Sequence, residues 1–166
     1  MSLGWPHLLI ALVALQRLVE LVYARRNTRA LLARGGFETG ATHYPLFALL
    51  HGAWLAAMFV LTAPGPELRW PLLLLFAFLQ AGRMWVIASL GPYWTTRVIT
   101  VPGTRPVETG PYRFLRHPNY MIVALEVPVL PLALGLPSVA LVFGLLNLAL
   151  LAYRIHVEDG ARSRLT

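Results

Sequence analysis

Two short polar segments in an otherwise apolar chain hold the residue types that bind an anion, a cation and a flat ring. The first, Thr104–Tyr120, reads Thr-Arg-Pro-Val-Glu-Thr-Gly-Pro-Tyr-Arg-Phe-Leu-Arg-His-Pro-Asn-Tyr. The second, Arg154–Asp159, reads Arg-Ile-His-Val-Glu-Asp. Pro118 turns His117 away from helical geometry and suits the first position of a helix, whose amino terminus offers unpaired backbone N–H groups to an anion. Tyr112 and Tyr120 supply aromatic faces for an adenine ring or a cation. Arg154 and Glu158, four residues apart, share one helix face. The arginine can grip a carboxylate through two parallel hydrogen bonds, and the glutamate can hold an amine or a ribose hydroxyl. An amino-acid nucleoside such as S-adenosylmethionine presents that combination of groups.

Each residue also has a plainer use. Arg113 and Arg116 satisfy the charge bias of a membrane-facing loop, Tyr112 and Tyr120 serve as interfacial anchors, and Glu158 and Asp159 solvate a tail. Those uses explain the residues one at a time. They do not explain the ordered set Gly-x-Tyr-x-x-x-Arg-His-Pro-x-Tyr from Gly110 to Tyr120, followed by Arg-x-x-x-Glu-Asp from Arg154 to Asp159.

The elements that must position these residues are membrane helices. Of the 166 residues, 57% are hydrophobic and 13% are charged, about half the charged fraction of a soluble domain. Five apolar segments, each near the roughly 20 residues that cross a bilayer core, run about Trp5–Tyr23, Pro45–Thr62, Trp70–Leu90, Tyr120–Leu136 and Pro137–Tyr153. The first lacks the basic n-region and cleavage site of a signal peptide and reads as a retained helix. Ala24–Arg34 continues it as a basic amphipathic extension, stopped by Gly35-Gly36. The fourth contains Glu126, Pro128 and Pro131, and the prolines predict a kink or a break. Leu136-Pro137 then reverses the chain into a tight helical hairpin. The length suits one domain, residues 1–166, with the ligand-binding part at about 90–160.

Charge orients the spans. Arg25, Arg26, Arg29 and Arg34 follow the first segment, and Arg97, Arg105, Arg113 and Arg116 follow the third, while the links near Thr62–Arg69 and Leu136 are close to neutral. Positive loops stay cytoplasmic, which predicts an outer amino terminus, a cytoplasmic carboxyl terminus and a site facing the cytoplasm. The formal charge of +7 is read as attraction to anionic lipid head groups, since no nucleic-acid motif appears. All 14 basic residues are arginine, read as the codon bias of a GC-rich bacterial genome, and hence an inner membrane. With no cysteine, disulfides and thiolate chemistry are excluded, and no metal is suggested.

Ionisable residues inside the spans include Arg17, Glu20, His51, Arg83 and Glu126. Such groups are costly in lipid and mark polar interiors. Arg17 and Glu20 are expected to pair at i, i+3, Arg83 to snorkel or pair with Glu126, and His51 to be a hydrogen-bonded helix residue. Whether the four charged residues serve catalysis or structure is open at this level.

The ordered set resembles the signature of the isoprenylcysteine carboxyl methyltransferase family, well from Leu90 to Asp159 and loosely over the first two helices. Gly-Pro-Tyr-Trp-Thr-Thr-Arg at 91–97 and His43-Tyr44-Pro45 are most similar to its short bacterial members. Pro106-Val107 stands where the family often has Leu-Val, and Glu158-Asp159 stands for its tandem glutamates. The resemblance implies an all-α, polytopic membrane bundle of about five transmembrane helices, with a re-entrant or kinked hairpin near the carboxyl terminus. It implies an S-adenosylmethionine site formed by Thr104, Arg105, Pro106, Val107, Tyr112, His117, Pro118, Asn119, Tyr120 and Glu158. Arg154 falls on the position that faces the substrate carboxylate.

The expected activity is methyl transfer from S-adenosylmethionine, leaving S-adenosylhomocysteine, to a carboxylate on a lipophilic or prenylated substrate that enters from the bilayer. Arg154 and Glu158 carry the catalytic roles. The alternatives are O-methylation of a lipid-like phenol or pyrone hydroxyl, with His156 or Glu126 as the base it needs, or N-methylation of a phospholipid. A reading of another class is a non-catalytic protein that binds anionic membrane lipids. The chain has no Gly-x-Gly, so nothing resembles the glycine-rich cofactor turn of soluble methyltransferases.

Overall fold

The computed structural model describes residues 3–40 and 44–162, apart from the side chains of Asp159, Ala161 and Arg162. His43 lies outside the described residues. The order is α1 (Trp5–Ala33), β1 (Phe37–Thr39), α2 (Tyr44–Leu61), α3 (Trp70–Leu90), β2 (Val98–Thr100), α4 (Pro118–Ala133) and α5 (Pro137–Arg162). Two short 3-10 turns, Gly91–Tyr93 and Gly110–Arg113, flank β2. Four helices are long and apolar enough to cross a membrane. α4 is shorter, 16 residues or about 24 Å at 1.5 Å per residue, against a bilayer core of about 30 Å. The molecule is a polytopic helical membrane bundle.

α1 shows how a lipid-facing helix is patterned. Ile10, Val13, Glu20, Ala24, Asn27 and Leu31 are buried, while Leu8, Leu12, Leu15, Val19 and Val22 are exposed at alternating spacings of four and three. The polar residues belong to the inward stripe and the leucines to the outward one, the arrangement lipid as solvent requires. The basic extension is continuous with the span, as the sequence predicts. It ends where Gly35 takes φ +82° and the N–H of Gly36 reaches back to the Leu31 carbonyl at 3.0 Å. A side chain at Gly35 would strain that left-handed turn.

α4 runs on through Pro128 and Pro131 instead of breaking. Pro131 has no N–H for the carbonyl four residues back, which is that of Val127. The indole N–H of Trp54, from α2, takes that carbonyl at 3.0 Å. A neighbouring helix thus satisfies the backbone group that the proline frees, which is what tolerates proline inside a membrane helix. α4 packs along both α3 and α5, and the side-chain amide of Asn147 on α5 donates to the Val123 carbonyl at 3.2 Å. The hairpin turn closes with Leu136 N–H on the Pro131 carbonyl at 2.8 Å.

The intramembrane charges form one closed quartet. Arg17 contacts Glu20 at 2.9 Å and Glu126 at 3.0 Å, while Arg83 contacts Glu20 at 2.8 Å and Glu126 at 3.0 Å. Gln16 and Gln80 fill further acceptor sites on the two carboxylates. The expected pairs Arg17–Glu20 and Arg83–Glu126 are both present, and two cross-links join α1, α3 and α4 into one neutral unit. His51 donates from Nδ1 to the Phe47 carbonyl at 2.9 Å, the hydrogen-bonded helix residue that was expected.

A two-stranded antiparallel ribbon, absent from the sequence reading, pairs Phe37 with Thr100, Glu38 with Ile99 and Thr39 with Val98. It joins the loop after α1 to the loop after α3, and an Arg97–Glu38 ion pair at 2.8 Å braces it.

Candidate functional site

Three local devices bring the polar segments together at the end of the bundle that holds the ribbon. The first is Asn27 on the α1 extension, whose side-chain amide donates to the carbonyls of Gly91 at 3.1 Å and Trp94 at 2.9 Å. This pins the chain as it leaves α3. The second is Gly110, with φ +59°. A Cβ there would lie 2.1 Å from Ser89 Oγ and 3.2 Å from Trp85 Nε1, so only glycine lets the loop close against α3 and set Tyr112. The third is Pro118, buried at the first position of α4 behind a non-helical His117.

Between these devices lies a cavity of about 260 Å³, close to the lower end of the ~300–1,000 Å³ of small-molecule sites. One wall is Trp94, Thr95, Arg97 and strand β2; another is Tyr112, His117, Asn119 and Tyr120; Arg154 and Glu158 of α5 close it. The last two walls form a single network. The Tyr120 hydroxyl donates to Glu158 Oε1 and accepts from Arg154 Nε at 2.8 Å. Arg154 Nε also reaches Glu158 Oε1 at 3.3 Å, and Arg154 Nη1 donates to the Thr96 carbonyl at 2.9 Å. Glu158 Oε2 lies 3.8 Å from His117 Nδ1, and the His117 and Tyr120 rings stack with centroids 5.2 Å apart. The Arg154 guanidinium sits 5.4 Å from the Tyr120 ring centre and 5.5 Å from that of Phe47.

Two consequences follow for chemistry. Arg154 Nη2 has no hydrogen bond to a described residue, so the outer edge of its guanidinium can still receive an oxygen pair. Burial, and then the Glu158 charge, push the Tyr112 hydroxyl up to about 12, so Tyr112 is a neutral hydrogen-bond donor at physiological pH.

The cavity therefore gathers Tyr112, His117, Asn119, Tyr120, Arg154 and Glu158 from the sequence reading, with Pro118 beneath them. It does not gather the rest. Thr104, Arg105 and Pro106 are exposed, Val107 is half-buried, and none of the four lines the cavity. The Thr104 hydroxyl turns back to the Val101 carbonyl at 2.7 Å. The amino terminus of α4 is also less open than predicted. The N–H groups of Tyr120 and Met121 already meet the His117 carbonyl, which leaves the Asn119 N–H without a backbone partner among the described residues. Neither candidate base is at the cavity: His156 is exposed, and Glu126 is held inside the ion quartet. Trp94, Thr95, Arg97 and β2 were missed as site residues. Their signal was the run Gly91–Arg97, noticed for its wording and not read for its chemistry.

A model of the Isoprenylcysteine carboxyl methyltransferase (ICMT) family matches residues 72–162, from the first turn of α3 through α5. The chain belongs to this family. The matched stretch contains every residue that lines the cavity and half of the ion quartet, so family membership and site geometry rest on the same segment. It is an integral-membrane protein of a methyltransferase family. Among relatives, "Uncharacterized protein YpbQ" of Bacillus subtilis (strain 168) is 35% identical over 158 residues, spanning 93% of this chain and 94% of that one. An "Uncharacterized protein" of Haemophilus influenzae (strain ATCC 51907 / DSM 11121 / KW20 / Rd) is 28% identical over 155 residues, 90% of each chain. No solved structure matches the chain.

Proposed function

We propose that the chain transfers a methyl group from S-adenosylmethionine to a carboxylate on a lipophilic substrate, with Arg154 as the acceptor clamp and Glu158 as a donor-site residue. The observation that carries this reading is the Arg154–Tyr120–Glu158 network, which places a guanidinium edge and a carboxylate side by side in one cavity lined with aromatic rings. The donor set suits an amino-acid nucleoside. Glu158 is an acceptor for an amine or ribose hydroxyl, and the Tyr112 and Tyr120 faces favour a sulfonium cation. When bound, S-adenosylmethionine supplies an electrophilic methyl group. An acceptor carboxylate is already ionised at neutral pH and needs no base. Its oxygen forms the new C–O bond as the sulfur–carbon bond breaks, in line, and the site contributes alignment and exclusion of water.

A second reading is favoured by one detail. A phenolic hydroxyl, that of Tyr120, already sits between Arg154 and Glu158. A lipid-like phenol or pyrone held in the same way would find its proton acceptor in Glu158. Arg154→Lys separates the two readings. For a carboxylate, lysine keeps the charge but not the two-pronged geometry, so kcat/KM for the acceptor should fall roughly tenfold or more with donor affinity little changed. For a hydroxyl acceptor, lysine should be tolerated. Parallel kinetics on a prenylcysteine acid and a long-chain phenol decide, and indifference on every acid tested removes the clamp role.

The orientation belongs to the same proposal. Arg25, Arg26 and Arg29 project outward from the α1 extension, and the cavity lies at the end of the bundle where that extension docks. With the basic loops cytoplasmic, cysteines introduced at Gly65 or Pro137 should react with impermeant reagents from outside, and those at Thr28 or Thr109 should not. The reverse pattern overturns the orientation.

A further inference from the structure

The Arg154 side chain is held by more than the cavity walls. Its Nε meets the Tyr120 hydroxyl and Glu158, and its Nη1 meets the Thr96 carbonyl. Two hydrogen-bonded atoms define an axis, and tilt about that axis swings Nη2, the atom left for an oxygen of the acceptor. Packing against the flat guanidinium limits the tilt. Two rings supply it, with centres 5.4 Å (Tyr120) and 5.5 Å (Phe47) from the guanidinium carbon. Tyr120 also acts through its hydroxyl. The Phe47 side chain has no polar group, so its ring is its whole contribution.

Phe47 reaches this position from α2, which packs along α5. It heads the inward stripe of that helix, followed at helical spacing by the buried Leu50, Trp54 and Met58. Its neighbours Leu46 and Leu49 are 49% and 70% exposed. At this level α2 therefore turns leucines outward and its ring toward Arg154. Two hydrogen bonds fix the stripe: Trp54 is tied to the Val127 carbonyl of α4, and His51 to the carbonyl of Phe47 itself. Phe47 does not line the cavity, and it precedes the segment 72–162 that the family model matches. Its route to a ligand runs through Arg154.

We propose that Phe47 is a positioning residue for the methyl acceptor: its ring holds the Arg154 guanidinium at the tilt that presents Nη2 to the substrate carboxylate. A cation beside an aromatic ring gains from the negative ring face, and gains more where water is excluded. An aliphatic side chain of similar bulk fills the space without that attraction. The inference rests on the acceptor-clamp reading above. It makes α2 part of the acceptor side of the site, although no α2 residue lines the cavity.

The test uses the full chain in lipid nanodiscs and reads two quantities, kcat/KM for a prenylcysteine acid and, by calorimetry, affinity for S-adenosylhomocysteine. Phe47→Leu should lower kcat/KM for the acid by roughly three- to thirtyfold, the range of a partly desolvated cation–ring contact, with donor affinity unchanged. Replacing Phe47 by a trifluorinated phenylalanine keeps the shape of the side chain and weakens the negative ring face. It should give an intermediate loss, and it decides alone where Phe47→Leu fails to fold. A folded Phe47→Leu with wild-type kcat/KM overturns the positioning role alone. So does a fluorinated ring that equals phenylalanine, or a parallel loss of S-adenosylhomocysteine affinity, which marks a purely structural ring. No turnover of the acid, or turnover indifferent to Arg154→Lys, overturns the clamp reading beneath it.

Discussion

Replacing Arg83 by methionine should destabilise the protein by about 3–5 kcal/mol, the cost of leaving a buried charge without its partner. Arg83 contacts both glutamates, and Glu126 has no exposed surface. Without Arg83, two carboxylates share Arg17, and the unit carries one net negative charge among buried side chains. The double variant Glu20→Met/Arg83→Met should recover most of that loss. It removes one charge of each sign and leaves Arg17 against Glu126, already 3.0 Å apart. Apolar replacement of a whole buried pair is often close to neutral, whereas removal of one member is not. Denaturation in mixed micelles measures both variants. Additive losses in the double variant would contradict the picture of a neutral closed unit.

Glu158→Ala should weaken S-adenosylhomocysteine binding by about 1.5–3 kcal/mol, roughly 10- to 150-fold, on the proposed reading. The carboxylate accepts from Tyr120 and from Arg154 and approaches His117. Its removal takes away a charge-assisted partner for the ligand and also frees the two side chains that shape the cavity. Tyr120→Phe is the companion variant. It leaves Glu158 charged and removes only the hydroxyl between Glu158 and Arg154, so its effect on donor affinity should be several-fold smaller. Equilibrium binding of both variants checks the order. Unchanged affinity in Glu158→Ala would remove this residue from the donor site.

Much of this architecture was legible in the sequence because lipid imposes a simple rule on it. The segment Trp70–Leu90 coincides with α3 end for end, and the start of α5 at Pro137 was set by the Leu-Pro reversal. The pairing of Arg17 with Glu20 and of Arg83 with Glu126 followed from the cost of lone charges in hydrocarbon. The cross-links Arg17–Glu126 and Arg83–Glu20 did not follow, because they depend on how three helices are arranged side by side. The ribbon Phe37–Thr39 with Val98–Thr100 was missed for a different reason: three-residue strands are too short for alternation to rise above chance. α5 also runs to Arg162, nine residues past the end of its apolar stretch at Tyr153, and this continuation is what delivers Glu158 to Tyr120.

The site was legible in its His117–Tyr120 and Arg154–Glu158 parts, where residue type and spacing both carry chemistry. It was not legible at Trp94. A tryptophan just past a membrane helix reads as an interfacial anchor, and only the fold shows it buried, beside Arg83, with its N–H unmet. The stretch Thr104–Val107 is the converse case, assigned by resemblance and found outside the cavity lining, with Thr104, Arg105 and Pro106 exposed and Val107 half-buried.

The central claim is that this cavity holds S-adenosylmethionine and passes its methyl group to a lipophilic acceptor. The most direct measurement incubates the purified chain with methyl-labelled S-adenosylmethionine and follows label into a prenylcysteine acid, a long-chain phenol and a total lipid extract. Saturable binding of S-adenosylhomocysteine is measured on the same sample. The account predicts tight, saturable binding and label in at least one lipophilic acceptor, with both reduced in Glu158→Ala. Binding of anionic lipid vesicles with no affinity for S-adenosylhomocysteine and no label transferred would contradict it, and would mark the chain as a lipid-binding member of a methyltransferase family.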